Sequence, residues 1–167
     1  VLFVLSLILL IALPIRASFA APATPTANPT LEQLQAAAGG EVQMSIKAAT
    51  GVASFVALPQ AGLPEQALAE SAGAGDPETR ARGFLQQYGA LFGIRDQAAE
   101  LVSAGSNTDV AGNTHVRFTQ TYRGLPVFGG DLSVHMNAAG RVTSAGGAFV
   151  PGVAVAPLGA VSQAQAE

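Results

Sequence analysis

Two histidines, His115 and His135, are the only imidazoles in a chain of 167 residues that contains no cysteine. A disulfide framework, a thiolate metal site and a thiol nucleophile are therefore excluded. A metal held by the two histidines would need further ligands. Asp131, Asp109 and Glu100 are the carboxylates on offer, and none stands at a fixed ligand spacing from either histidine. His115 is followed by Val116 and His135 by Met136, so neither opens an H-E-x-x-H. Both histidines fall on the polar phase of alternating segments, which favours neighbouring, hydrogen-bonded positions on one exposed face over a metal site.

Other chemistries are poorly served. No serine stands in G-x-S-x-G, and no phosphate-binding glycine loop is present. The expected catalytic, cofactor-binding and metal residues are accordingly none, and the chain by itself is not expected to be an enzyme. Eight Lys and Arg, of which Lys47 is the one lysine, stand against eleven Asp and Glu. So few cations cannot hold a phosphate backbone, which excludes nucleic acid as a partner. Arg117 and Arg123 are expected to form cross-strand ion pairs with Asp131 or Glu100 rather than to clamp a partner's carboxylate. Tyr122 and Phe128 are expected in the core or in edge packing.

Periodicity outlines the scaffold that must position these residues. Residues 76–92 predict a helix, with Asp76 as N-cap, Pro77 at the first helical position and Glu78 adding negative charge to the first turn. Ala81, Phe84, Leu85, Tyr88, Leu91 and Phe92 make one apolar face, and Gly93 supplies the stop. In residues 41–57, Val42, Met44 and Ile46 alternate with Gln43, Ser45 and Lys47 before a turn, which predicts a hairpin. Residues 99–104 read as a short strand and 105–113 as a turn cluster.

Residues 114–123 alternate cleanly: Val116, Phe118, Gln120 and Tyr122 on one phase, His115, Arg117, Thr119 and Thr121 on the other. Gly124 breaks the run. Pro126 lacks an N–H, so residues 125–128 are expected at an edge or bulge, not in a central strand. Gly129 and Gly130 are expected to turn the chain. Leu132, Val134 and Met136 point inward from the next strand, and Gly140 closes a tight turn. Residues 141–150 return, with Gly146 and Gly147 at a bulge or close approach. The fold class is thus α+β, an antiparallel sheet of hairpins packed against one main helix at about 76–92. Val116, Phe118, Tyr122 and Val127 are expected to anchor the sheet to that helix.

The ends carry other signals. Residues 1–13 are almost purely apolar but too short for a comfortable span of about 20 residues. Small residues at Ser18 and Ala20 predict a signal peptide, residues 1–20, cleaved after Ala20. Such a chain is secreted and meets the membrane only transiently. Residues 21–40 read as a Pro/Ala-rich linker holding a short helix over 31–38, with Thr30 as its N-cap and Gly39 as its stop. One weak helical turn is expected at 65–71 and a helix start at 162–167.

The run His115-Val-Arg117-Phe-Thr-Gln-Thr-Tyr122-Arg-Gly124-Leu-Pro126-Val127-Phe-Gly129-Gly130-Asp-Leu132 is similar to the propeptide (FTP domain) of fungalysin- and thermolysin-type zinc metallopeptidases. Val134-His135, Gly140-Arg141-Val142 and Gly146-Gly147 extend the likeness. The helix 84–93 and the hairpin at Thr50-Gly51 add a weaker one, so that it spans roughly residues 41–150. The resemblance implies an FTP-like propeptide domain over 41–152, with His115, Arg117, Tyr122, Gly124, Pro126, Val127, Gly129, Gly130, His135 and Gly140 as structural motif residues. It implies the start of a second, PepSY-like propeptide segment at 153–167. It further implies an intramolecular chaperone and inhibitor whose partner in cis is a metallopeptidase catalytic domain outside this chain. Zinc, and calcium with it, are implied for that catalytic domain only. The alternative is a stand-alone exported module that binds or inhibits a protease in trans; a third reading makes the histidines a hydrolase's metal ligands.

Overall fold

The computed structural model describes residues 29–68 and 75–155. The signal peptide 1–20, the linker up to residue 28, the end of the expected turn at 65–71 and the segment 156–167 lie outside the described residues. Helix α1 spans Pro29–Ala38, and strands β1 (Gln43–Ile46) and β2 (Ala53–Ala57) form the first hairpin. Helix α2 (Pro77–Tyr88) runs into a 3-10 turn over Gly89–Phe92. The four-residue helix α3 (Gln97–Glu100) precedes β3 (Leu101–Thr108), β4 (Thr114–Tyr122), β5 (Leu125–Met136) and β6 (Val142–Gly147). The six strands form one antiparallel sheet in the order β1-β2-β6-β5-β4-β3.

The main helix begins where its capping residues place it. The Asp76 carboxylate accepts hydrogen bonds from the Glu78 and Thr79 N–H groups at 2.9 and 3.1 Å, filling donors that the first turn leaves open. Its apolar face buries Ala81, Phe84, Leu85 and Tyr88. They meet Val116, Phe118, Leu132, Val134, Met136, Val142 and Ala145 from the sheet in one core. The Ser103 hydroxyl donates to Glu78 at 2.7 Å and Arg82 lies over the Phe118 ring, so polar contacts also tie the helix to β3 and β4.

Several expectations are corrected. Helix α1 is helical from Pro29, which fits a proline in the first turn and moves Thr30 inside the helix instead of to its N-cap. Its Leu34 is fully buried in the common core, so the latter part of the segment read as linker belongs to the folded unit. The only helical turn in the described part of 65–71 is a 3-10 turn at Glu65–Ala67. Residues 97–100 are helical because the Asp96 carboxylate caps the Ala98 and Ala99 N–H groups, which delays the strand to Leu101. That strand then continues to Thr108, through half of the expected turn cluster. A register shift at Gly105, which adopts a positive φ, absorbs the irregular sequence.

The largest correction concerns residues 125–130. Gly129 and Gly130 do not reverse the chain; β5 passes through them to Met136. Between the pairs Thr119↔Asp131 and Thr121↔Pro126, β4 has one residue and β5 has four. Residues 127–130 therefore form a wide bulge in a strand that lies between β4 and β6. The bulge accommodates Pro126 and uses the positive φ of Gly129. Pairing of β5 with β6 begins only at Leu132, so the segment before it projects past the neighbouring strand.

Candidate interaction face and hairpin corner

The motif residues separate into two groups, one on each side of the bulge. The first lies on the sheet face opposite the helices. His115 and His135 are directly paired across β4 and β5, on the outward phase that the alternation assigns them. Their Nδ1 atoms are 2.6 Å apart and the rings meet edge to face at 4.9 Å between centroids. The His115 Nε2 faces the Asp109 carboxylate at 3.3 Å. Asp109 is held in turn by the Ala111 and Asn113 N–H groups and by the Asn113 side-chain amide. Those donors, Asn113 first, keep its carboxyl below the usual carboxylate range.

Burial pushes His135 below its ordinary value near 6.5, and repulsion from His115 and Arg117 adds to the shift. The folded state thus resists a proton that the unfolded chain accepts. Stability contributed by this group is full above about pH 6.5 and is lost as the pH falls below it, because the unfolded state then binds more protons. In chelator-containing buffer, the urea midpoint is expected to fall between pH 7.5 and 5.5. His135→Gln is expected to flatten that slope; an unchanged slope in the variant would assign the acid sensitivity elsewhere.

The expected arginine ion pairs do not form among the described residues. Arg117 stands opposite Ser133, and Asp131 opposite Thr119. Glu100 accepts instead from the Arg95 and Asp96 N–H groups, at 2.8 and 3.1 Å. Arg123 folds over the Tyr122 ring at 5.3 Å. Isolated surface charges gain little from pairing, so sheet register decides where these end.

The second group is the β4–β5 corner. Tyr122 pairs with Leu125, leaving Arg123 and Gly124 as a two-residue turn. Both have positive φ, 52° and 78°, the signature of the hairpin turn whose twist matches its strands. Beyond it, Phe128 is fully exposed (104%) and Leu125 is 57% exposed, against the expectation that Phe128 packs in the core or at an edge. Tyr122 and Val127 are only half-buried and do not belong to the core that meets α2. With Leu125, Pro126, Val153 and Val155 they line a shallow apolar groove. The bulge interrupts the two-residue period, which is why these side chains leave the phase that alternation assigned them. Gly140 closes the β5–β6 turn, against the Arg80 side chain of α2.

Two residues that hold these groups were not singled out by motif. Gln120 is the lone β4 residue opposite the bulge and is 2% exposed. Its amide N–H donates to the Val150 carbonyl at 2.7 Å, and its carbonyl accepts from the Val150 N–H at 2.8 Å. A polar residue on the apolar phase of a strand was the signal. Asp109 was named among three carboxylates on offer beside the histidines, but nothing in its spacing marked it as the one that contacts His115.

Residues 99–149, from the end of α3 to just past β6, match the family model described as the Fungalysin/Thermolysin Propeptide Motif. They carry the propeptide motif (FTP) of thermolysin-type protease precursors.

Particular relatives agree. Thermolysin of Alicyclobacillus acidocaldarius subsp. acidocaldarius is 40% identical over 76 residues, 45% of this chain and 14% of the relative. Thermolysin of Bacillus caldolyticus gives the same values. Bacillolysin of Brevibacillus brevis is 32% identical over 71 residues, 41% of this chain and 13% of the relative. The chain therefore spans a small part of the length of the relatives it matches. The family match holds strands β3 to β6 and not a catalytic part.

Proposed function

We propose that this chain is the non-catalytic propeptide region of a secreted zinc metalloendopeptidase precursor, and that it assists folding of the protease domain and then inhibits it. The observation that carries this reading is the propeptide motif over 99–149. The apolar corner at Leu125 and Phe128 supports it, being a large side-chain surface left uncovered among the described residues. A folding assistant must bind the native-like protease better than the unfolded one, and a corner already folded within the sheet suits that requirement. In this precursor residues 1–20 direct export and are removed after Ala20. The folded propeptide unit starts at α1, and residues 153–167 lead into a second propeptide segment. Zinc belongs to the catalytic domain.

The reading is tested by extending the gene past the codon for Glu167 and refolding the protease domain encoded there. Recovery of activity is expected to rise when this chain is added, and excess chain is expected to inhibit the refolded enzyme. A downstream frame without H-E-x-x-H would overturn the cis arrangement. Inhibition of a separately encoded protease would then support action in trans.

A further inference from the structure

We propose that His115 and His135 form a binding site for a divalent transition-metal ion of the zinc type, oriented by Asp109 and independent of any protease domain. The first support is convergence. The two histidines are opposite each other across β4 and β5, and their Nδ1 atoms meet in a hydrogen-bond contact of 2.6 Å. A tetrahedral zinc ion with bonds of about 2.0–2.1 Å needs its two nitrogens roughly 3.3 Å apart. Both rings lie on the uncovered face and are only partly buried, so small side-chain rotations open that separation without moving the strands.

The second support is orientation. The carboxylate of Asp109 faces Nε2 of His115, which favours the proton on Nε2 and leaves Nδ1 with its lone pair toward His135. A carboxylate behind a histidine is the usual way a metal ligand is fixed in tautomer and direction. Asp109 is itself anchored by three hydrogen bonds from Ala111 and Asn113, so the support is built before any ion arrives. The third support is the adjoining hollow, lined by Asn113, Thr143 and Ser144, where water molecules completing the coordination find polar partners.

Among the described residues no group of three or more His, Asp or Glu is placed to hold a metal. The site is therefore open, with two imidazoles and solvent as ligands, unlike a closed structural zinc site. Binding replaces the hydrogen bond between the two Nδ1 atoms, with the His135 proton moving to its free Nε2, and because a ligating nitrogen must be unprotonated the affinity falls in acid.

The chain offers a clean test, because it contains these two imidazoles and no thiol. The intact chain, stripped with chelator, is titrated with zinc sulfate by calorimetry at pH 7.5. One ion per chain is expected to bind, more weakly at pH 5.5. Asp109→Asn is expected to weaken binding about 10-fold, and His115→Gln or His135→Gln to abolish it. Should those variants fold poorly, imidazole nitrogen NMR of the unmutated chain decides. Zinc is expected to move both Nδ1 resonances together while the His115 Nε2 stays protonated. Absence of one-to-one binding at millimolar zinc, or a shift confined to one ring or to Nε2, overturns the site.

Discussion

Gln120→Leu is expected to destabilise the protein by about 1–3 kcal/mol, although leucine is close to glutamine in volume and the site is buried. The reason is the bulge. Residues 127–130 leave Gln120 of β4 without a β5 partner, and its side chain bonds instead to both backbone groups of Val150. Leucine keeps the packing against Gly130 but leaves the Val150 N–H and carbonyl without their partner. Equilibrium urea denaturation measures the loss as a lower midpoint with an unchanged slope. Gln120→Glu serves as a second probe. It retains an acceptor for the Val150 N–H, removes the donor and buries a charge, so it is expected to cost more at pH 7.5 than at pH 5. A neutral Gln120→Leu would show that the residue only fills space.

Phe128→Ala is expected to leave stability within about 0.5 kcal/mol, since the ring is fully exposed and has no core contacts to lose. Its effect is expected in association. If the corner is the surface offered to the protease domain, an aromatic anchor at its centre is worth about 2 kcal/mol or more, a loss of roughly 30-fold in inhibition constant. Val110→Ala is the matched control: Val110 is equally exposed (110%) but sits in the β3–β4 turn, at the other end of β4. Inhibition assays on both variants separate the corner from exposed apolar surface in general. Equal losses would remove the corner from the interface, and no loss in either would place the docking surface on another face.

Local signals were legible wherever the physics is local. Asp76, Pro77 and Gly93 set the limits of the main helix and its 3-10 end, because caps act within one turn. The alternation of Leu132, Val134 and Met136 gave the inward face of β5, because successive side chains of a strand point to opposite faces. Where a second local signal competed, the reading failed. Asp96 caps a helix over residues that resemble a strand start, and Pro29 admits a helix two residues earlier than Thr30 suggested.

By itself, then, the sequence determined the α+β class, the helix face, the motif that places 99–149 among thermolysin-type propeptides, and the outward phase of the two histidines. Tertiary structure decided which strands are neighbours, how they are registered and which side chains the bulge releases. The order β1-β2-β6-β5-β4-β3 joins segments nearly a hundred residues apart, and period-two alternation states a face without naming a partner. The pairing of His115 with His135, the support from Asp109 and the outward turn of Phe128 all follow from that register. The histidines therefore read as two surface residues in the sequence and as one converging site in the fold.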